Sequence, residues 1–256
     1  MLSQSYTNNL NRKPIVELKS ISKIFGHVQA LDKVDLDLYP SEILAIVGDN
    51  GAGKSTLIKV LSGAYVKDEG QIIIDGQDVE IKSVSDAQKY GISTVYQDLA
   101  LVDVRDVPSN IFLGREPLRM GLFVNMAKMI NSSREVLDNL KINIPSMHVN
   151  VGELSGGQRQ SVAIARALAR GGRIFLLDEP TAAMGVEQCA QINELIRNLK
   201  VKNNSVLVIT HNLEHIFEIA DRIIIMRRGQ RVATRTKKET TKEEIVGLIT
   251  GALSRD

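Results

Sequence analysis

The run VGDNGAGKSTL, Val47 to Leu57, constrains the fold of this chain more than any other stretch. Before it, Ile43 to Val47 carries no charge or turn former and reads as a strand; after it, Leu57, Ile58 and Leu61 fall on one face of a helix. Gly48, Gly51 and Gly53 free the backbone to take positive φ, so that consecutive N–H groups can point into a concavity at a helix N-terminus. Lys54 supplies a flexible cation for the β and γ phosphates of a nucleotide, and the Ser55 hydroxyl can ligate Mg²⁺. Strand, glycine loop and helix, in that order, are what a phosphate-binding loop requires.

The 256 residues suffice for one large α/β domain, or for one such domain carrying an inserted lobe. With 43% apolar and 24% charged residues the chain can bury a core. A net charge of +2 gives no reason to expect nucleic acid as a main partner. The apolar runs, such as Ile223 to Met226 and Val206 to Ile209, have the length of strands, far short of the ~20 residues of a membrane span. The chain is therefore not expected to cross a bilayer by itself. Its first residues, MLSQSYTNNLNRKP, lack the apolar core and small-residue cleavage site of a secretory signal, and residues 1–14 read as a disordered lead-in. Cys189, the single cysteine, shares a helical stripe with Ile192, Ile196 and Leu199 and is expected to be a reduced core thiol.

Along the chain, Ile15 to Ile24 and Val34 to Leu38 read as antiparallel strands of a small sheet. Phe25 follows the first of them; it is either a core phenylalanine or an aromatic face for a base. After the phosphate loop come a short strand at Gln71 to Ile74, a helix from about Val84 to Lys89, and a strand from Ile92 to Tyr96 that ends on Gln97. From Asp98 to about Val151 the pattern turns helical: Pro108-Ser109-Asn110 opens a short helix, and Met126, Ile130, Leu137 and Leu140 mark a longer one. Met120, Met126 and Met129 could form an adaptable contact surface, but core filling is the better reading. A helix then follows Leu154-Ser155-Gly156-Gly157-Gln158 as far as Ala169. Beyond it lie the buried strand Ile174 to Leu177, a helix from Val186 to Leu199, the buried strand Val206 to Thr210, a hairpin around Arg227-Arg228-Gly229, and a helical tail from Thr241 to Ile249.

Parallel strands in an open α/β sheet end on one edge, and ligands bind in the crevice outside that edge. Here the strands end in Gly48, in Gln97, in Asp178 with Glu179, and in His211. A carboxylate directly after an apolar strand suits Mg²⁺, the role for Asp178, while its neighbour Glu179 can hold or deprotonate an attacking water. His211 can hydrogen-bond the γ-phosphate or that water.

Taken together, these stretches resemble the nucleotide-binding subunits of ATP-binding cassette transporters, from Ile15 to near the end of the chain. GDNGAGKST matches the family's phosphate loop, LSGGQRQ its signature, and IFLLDEPT its Walker B strand with the glutamate that follows. The resemblance implies a P-loop NTPase core with a mostly parallel sheet, a small antiparallel β subdomain and an inserted helical subdomain. On that pattern residues 15–256 form one cassette, with 15–97 and 170–256 as the core and 98–169 as the helical subdomain. ATP contacts are implied at Phe25, Gly48, Asn50, Gly51, Ala52, Gly53, Lys54, Ser55, Thr56 and Gln97, Mg²⁺ ligation at Ser55, Gln97 and Asp178, and hydrolysis at Glu179 and His211. Leu154, Ser155, Gly156, Gly157 and Gln158 are implied to face the ATP held by a second copy, in a head-to-tail dimer.

Within that family the chain is most similar to the ATPases of bacterial monosaccharide importers, of ribose, xylose and fructose type, through LSGAYVKDEG, SNIFLGRE, VAIARALARGG, EPTAAMGV and ITHNLEHIFEIADR. That likeness implies permease subunits in the membrane, a sugar-binding protein outside it, and a place at the cytoplasmic face. Its single phosphate loop points to the single-cassette type working as a homodimer. One departure stands out: where most cassettes continue Ser-Ala-Leu-Asp after the Walker B threonine, this chain has Ala182-Ala183-Met184-Gly185, a form shared by the sugar branch. A cassette for another solute, or a non-transport cassette acting on ribosomes or DNA, are the other readings; the latter is expected to carry paired cassettes or long basic insertions.

Overall fold

Elements appear where apolar runs end in turn formers. The computed structural model describes residues 13–182 and 184–253; residues 1–12, most of the expected lead-in, lie outside them, as does Ala183. The first elements are β1 (Val16–Phe25), β2 (Val28–Leu38), β3 (Ile43–Val47), α1 (Lys54–Leu61), β4 (Glu69–Ile74), β5 (Gln77–Val79) and α2 (Val84–Lys89). Next come β6 (Ile92–Val95), α3 (Val107–Ile111), a short hairpin of β7 (Leu118–Arg119) and β8 (Phe123–Val124), α4 (Met126–Asn139) and α5 (Gly156–Ala169). The chain continues with β9 (Ile174–Asp178), α6 (Val186–Val201), β10 (Ser205–Ile209), α7 (Leu213–Ile219), β11 (Arg222–Arg227), β12 (Gln230–Thr236) and α8 (Lys242–Thr250).

The contacts divide these elements into two units, Met1–Tyr90 with Ala220–Asp256, and Gly91–Ile219. In the first, β2, β1, β4 and β5 form an antiparallel sheet in that order. The same unit pairs β3 with β11 in parallel and β11 with β12 as an antiparallel hairpin. All five residues of β3 are buried, so the strand feeding the phosphate loop is covered on both faces. β2 begins at Val28, six residues before the clean alternation that marks it in the sequence. The cause is a series of register shifts between β1 and β2, from Leu18 to Ile24, which break the period of two over the first half of the hairpin.

In the second unit β6, β9 and β10 are parallel, with β9 in the centre. β9 and β10 are buried along their whole length, as an unbroken apolar run between covering layers requires. α3, α4 and α5 pack on one another and form the helical part of this unit. α4 is capped by Asn125 and buries Met129, Ser133 and Leu137 on one face. Of the methionines expected in the core only Met129 is there, 1% exposed; Met120 is 88% and Met126 43% exposed. The difference is the β7–β8 hairpin, which carries Met120 at its turn together with exposed Leu122 and Phe123. Cys189 is half-buried rather than enclosed, because it sits in the first turn of α6, ahead of the fully buried Ile192, Ile196 and Leu199. Among the described residues no helix is long and apolar enough to cross a membrane.

Candidate active site

The phosphate loop joins β3 to α1 within the first unit. Gly48 has φ +152° and Gly53 φ +98°, and a Cβ at Gly48 would stand 2.2 Å from the carbonyl oxygen of Met226. At Gly53 the same atom would be 2.6 Å from the carbonyl oxygen of Ala30, so the loop has this course only with glycine at both positions. Lys54 is buried, and its ammonium donates to the carbonyl oxygens of Gly48 at 2.7 Å and Asp49 at 2.8 Å. Its cation is thereby held inside the curve of the loop. Ser55 is exposed in the first turn of α1, where backbone N–H groups have no helical partner and favour an anion.

Phe25, at the end of β1, is 40% exposed and so is not a core residue. Its ring meets Tyr65 edge to face, with centroids 5.1 Å apart and an interplanar angle of 67°, and the Lys23 ammonium stands 5.3 Å from its centroid. One aromatic edge is thus fixed while part of the ring stays open to a stacking partner. Tyr65 had no signal in the sequence beyond its aromatic type.

In the second unit, Gln97 lies just after β6, Asp178 closes β9 with Glu179 beyond it, and His211 follows β10. Because these strands are parallel, with Val95 paired to Leu177 and Asp178 to Ile209, the three segments leave the sheet at one edge. Asp178 is buried, 8% exposed. Glu179 adopts φ +50°, a left-handed conformation that costs a non-glycine residue about 1–2 kcal/mol. Its backbone N–H donates to the Ile209 carbonyl at 2.9 Å, and its Oε1 stands 2.9 Å from Nδ1 of His211.

LSGGQ opens α5. Ser155 is the N-cap: its hydroxyl accepts from the Gln158 N–H at 3.3 Å, and Gln158 Oε1 accepts from the Ser155 N–H at 3.1 Å. Gly156, exposed, and Gly157, buried, occupy the first turn, where backbone N–H groups have no partner within the helix. Leu154 is buried ahead of the cap and anchors it. Beside the cap, a cavity of about 430 Å³ is lined by Ser155, Gln158, Ser161 and polar residues of α6 that include Glu187 and Glu194. Two further residues join this framework without having been singled out in the sequence. Arg166 of α5 donates to the Ala100 carbonyl at 2.8 Å and also to that of Leu99, tying the segment after Gln97 to the signature helix. Burial, with Arg170 nearby, lowers its pKa from the ordinary arginine value. His215 is buried against Thr181. Its place four positions after His211 was the available signal.

A family model for the ABC transporter matches residues 31–182, more than half of the chain. The chain belongs to the ABC transporter family. It is 45% identical to a xylose/arabinose import ATP-binding protein of Sulfolobus acidocaldarius, over 92% of this chain and 94% of that one. Against a fructose import ATP-binding protein of Rhizobium meliloti the identity is 42%, over 94% and 95% of the two chains. A ribose import ATP-binding protein of Rubrobacter xylanophilus is 41% identical, but this chain spans only 47% of its length. Among solved structures, an ATP-binding cassette of an ABC transporter in its ADP conformation superposes with a TM-score of 0.78 at 27% identity, over 93% of this chain and 95% of that one. A dimeric cassette in a post-hydrolysis state with ADP and Pi gives 0.73 at 25% identity, over 88% of this chain and all of that one. The chain is accordingly an ABC ATPase, and ATP is its nucleotide.

The fit of Mg²⁺ to this cassette can be judged from its donors. The Ser55 hydroxyl of the first unit and the Gln97 side-chain carbonyl and Asp178 carboxylate of the second are hard oxygen donors, a type that suits Mg²⁺, and among the described residues no cluster of His, Cys, Asp or Glu forms a cage. One carboxylate with neutral oxygens is what Mg²⁺ takes when nucleotide phosphates complete its shell. In this cassette Gly185 replaces the usual aspartate: it is the N-cap of α6, makes no side-chain cap, and has open space where a Cβ would be.

Proposed function

We propose that this ATPase energises the import of a monosaccharide, working as a homodimer with separate permease subunits at the cytoplasmic face of the membrane. The observation that carries this reading is identity above 40%, over nearly the full length of both chains, with import ATP-binding proteins for xylose/arabinose and for fructose. This chain covers 94% and 95% of those two relatives, and we read the transporter as using two copies of such a cassette. A sugar-binding protein outside the membrane delivers the substrate to the permease, and no sugar-selecting group is assigned to this chain.

In the proposed cycle Phe25 stacks on adenine, while Lys54 and the N–H groups from Gly51 to Thr56 hold the phosphates. Asn50 and Ala52 shape that loop. Ser55, Gln97 and Asp178 would hold Mg²⁺, which supplies charge neutralisation on the phosphate oxygens when bound. Glu179 orients and deprotonates the attacking water, and His211 keeps the Glu179 carboxylate aimed. The first-turn N–H groups of Gly156 and Gly157, with Ser155, serve the γ-phosphate of the partner's nucleotide, because a helix N-terminus stabilises an anion. Residues 98–169 carry the resulting motion to the permease.

The test is growth and uptake. A strain lacking this chain is expected to lose ATP-dependent uptake of one pentose or hexose. Uptake is expected to return with the intact chain and not with Glu179→Gln. Undiminished uptake of every monosaccharide, with loss of another solute, would overturn the sugar assignment and leave the ATPase assignment standing.

A further inference from the structure

His211 and His215 are four positions apart, His211 just ahead of α7 and His215 in its first turn, and both reach the same short turn of chain. His211 Nδ1 is 2.9 Å from Glu179 Oε1, and His215 Nδ1 is 2.9 Å from the Thr181 hydroxyl. Between those two contacts the backbone is left-handed at Glu179 and closes a turn in which the Ala182 N–H donates to the Glu179 carbonyl at 3.1 Å. A turn entered through a disfavoured conformation needs outside restraint to persist.

His215 has the features of such a restraint. It is 5% exposed, and its Nε2 is buried with no hydrogen-bond partner among the described residues. An apolar residue of similar size would fill the space without stranding a polar nitrogen, so packing alone gives no reason for a histidine here. What the imidazole adds is the bond at Nδ1. The Thr181 hydroxyl can donate to or accept from a neutral ring, whichever tautomer is present. Glu218, which could otherwise draw a proton onto the ring, is engaged by Asn193 and Arg197 of α6.

We propose that His215 is a positioning residue: through Thr181 it fixes the turn that carries Glu179 and so keeps the carboxylate within reach of His211. The two histidines hold the turn at both ends. This rests on the reading that Glu179 directs the attacking water, and Glu179→Gln serves as its control.

The experiment measures steady-state ATP hydrolysis, ATP binding and thermal unfolding for Thr181→Val, His215→Leu, the double variant and His215→Asn. Thr181→Val keeps the shape and removes the hydroxyl, so it carries the test even if His215→Leu does not fold. Each single loss is expected to lower kcat about 10- to 100-fold, the scale of a reacting group misplaced by up to about 1 Å. ATP affinity is expected to stay within about twofold, the pattern of an interaction needed in the transition state and not in binding. The double variant is expected to be no worse than the poorer single one, and His215→Asn, which keeps a polar atom near Nδ1, to recover most of the rate. Undiminished kcat in folded Thr181→Val, additive losses in the double variant, or a lowered unfolding temperature with unchanged kcat would each overturn the proposal. If Glu179→Gln also hydrolyses ATP normally, the failure belongs to the role of Glu179 and not to the clamp alone.

Discussion

His211 and Glu179 are hydrogen-bonded, Nδ1 to Oε1 at 2.9 Å, although they are 32 positions apart and sit on different strand ends. The side chains differ sharply in exposure, 73% for His211 and 17% for Glu179. An ionised carboxylate only accepts, so in this pair Nδ1 donates, and a neutral ring then presents Nε2 as an acceptor.

Glu179→Gln is expected to bind ATP and to hydrolyse it 10²- to 10⁴-fold more slowly, about 3–5 kcal/mol of barrier, because the amide keeps the shape and loses the base. Single-turnover hydrolysis and nucleotide occlusion measure this. A trapped, closed dimer is the accompanying expectation, and near-normal turnover would remove Glu179 from its assigned role.

Gly48→Ala is expected to abolish ATP binding, since its Cβ would lie 2.2 Å from the Met226 carbonyl oxygen and the loop must shift. At Gly51, with φ +77° and nothing within 4 Å of a Cβ, alanine meets only the left-handed penalty of about 1–2 kcal/mol. Equilibrium binding of a fluorescent ATP analogue should separate the two. Equal losses would mean that the clash at Gly48 is relieved locally.

A mixed dimer tests whether the site is shared between copies. Lys54→Ala removes the cation of the loop, and Gly156→Asp puts a negative charge at the start of α5, where the nearest atom to a Cβ is 3.8 Å away. Gly157 is a poorer choice, because its Cβ would stand 3.3 Å from that of Gln188. Neither homodimer is expected to occlude nucleotide, whereas the mixture rebuilds one intact site. With cross-linked subunits, occlusion no greater than in either homodimer would refute the shared site.

Gly185→Asp is expected to be tolerated. The position is an uncapped N-cap with open space around it, so the carboxylate can cap α6 and add a few tenths of a kcal/mol. Thermal unfolding reads the stability, and the ATP dependence of hydrolysis reads whether the carboxylate changes coupling between the two nucleotide sites. A marked fall in unfolding temperature would contradict this account of the cap.

Burial pushes the His215 pKa below the ordinary histidine value, against the opposing pull of Glu218 and Glu179. The unfolded chain then binds a proton that the folded chain resists. The stability held above the ordinary histidine pKa is therefore lost as pH falls toward the lowered folded value. Wild-type protein is expected to lose unfolding temperature more steeply than His215→Asn below about pH 6.5. Parallel curves for the two proteins would show that His215 does not contribute to acid sensitivity.

Whatever is written in short periods was legible along the chain. The phosphate loop could be read because its glycines, Lys54 and Ser55 lie within eight consecutive positions between a strand and a helix. The cap of α5 could be read because Ser155 and Gln158 are three apart, and β9 and β10 because an apolar run bounded by polar residues suits a strand covered on both faces. The rest depends on contacts between distant segments. The start of β2 was hidden by register shifts that only its pairing with β1 reveals, and Met120 left the core because the β7–β8 hairpin carries it outward. The bonds of Glu179 to His211, Thr181 to His215 and Arg166 to the Ala100 carbonyl join residues 32, 34 and 66 positions apart. No local period encodes such pairs. They exist because parallel strands bring distant chain segments to one edge, and the helices packed behind those strands set which side chains meet there.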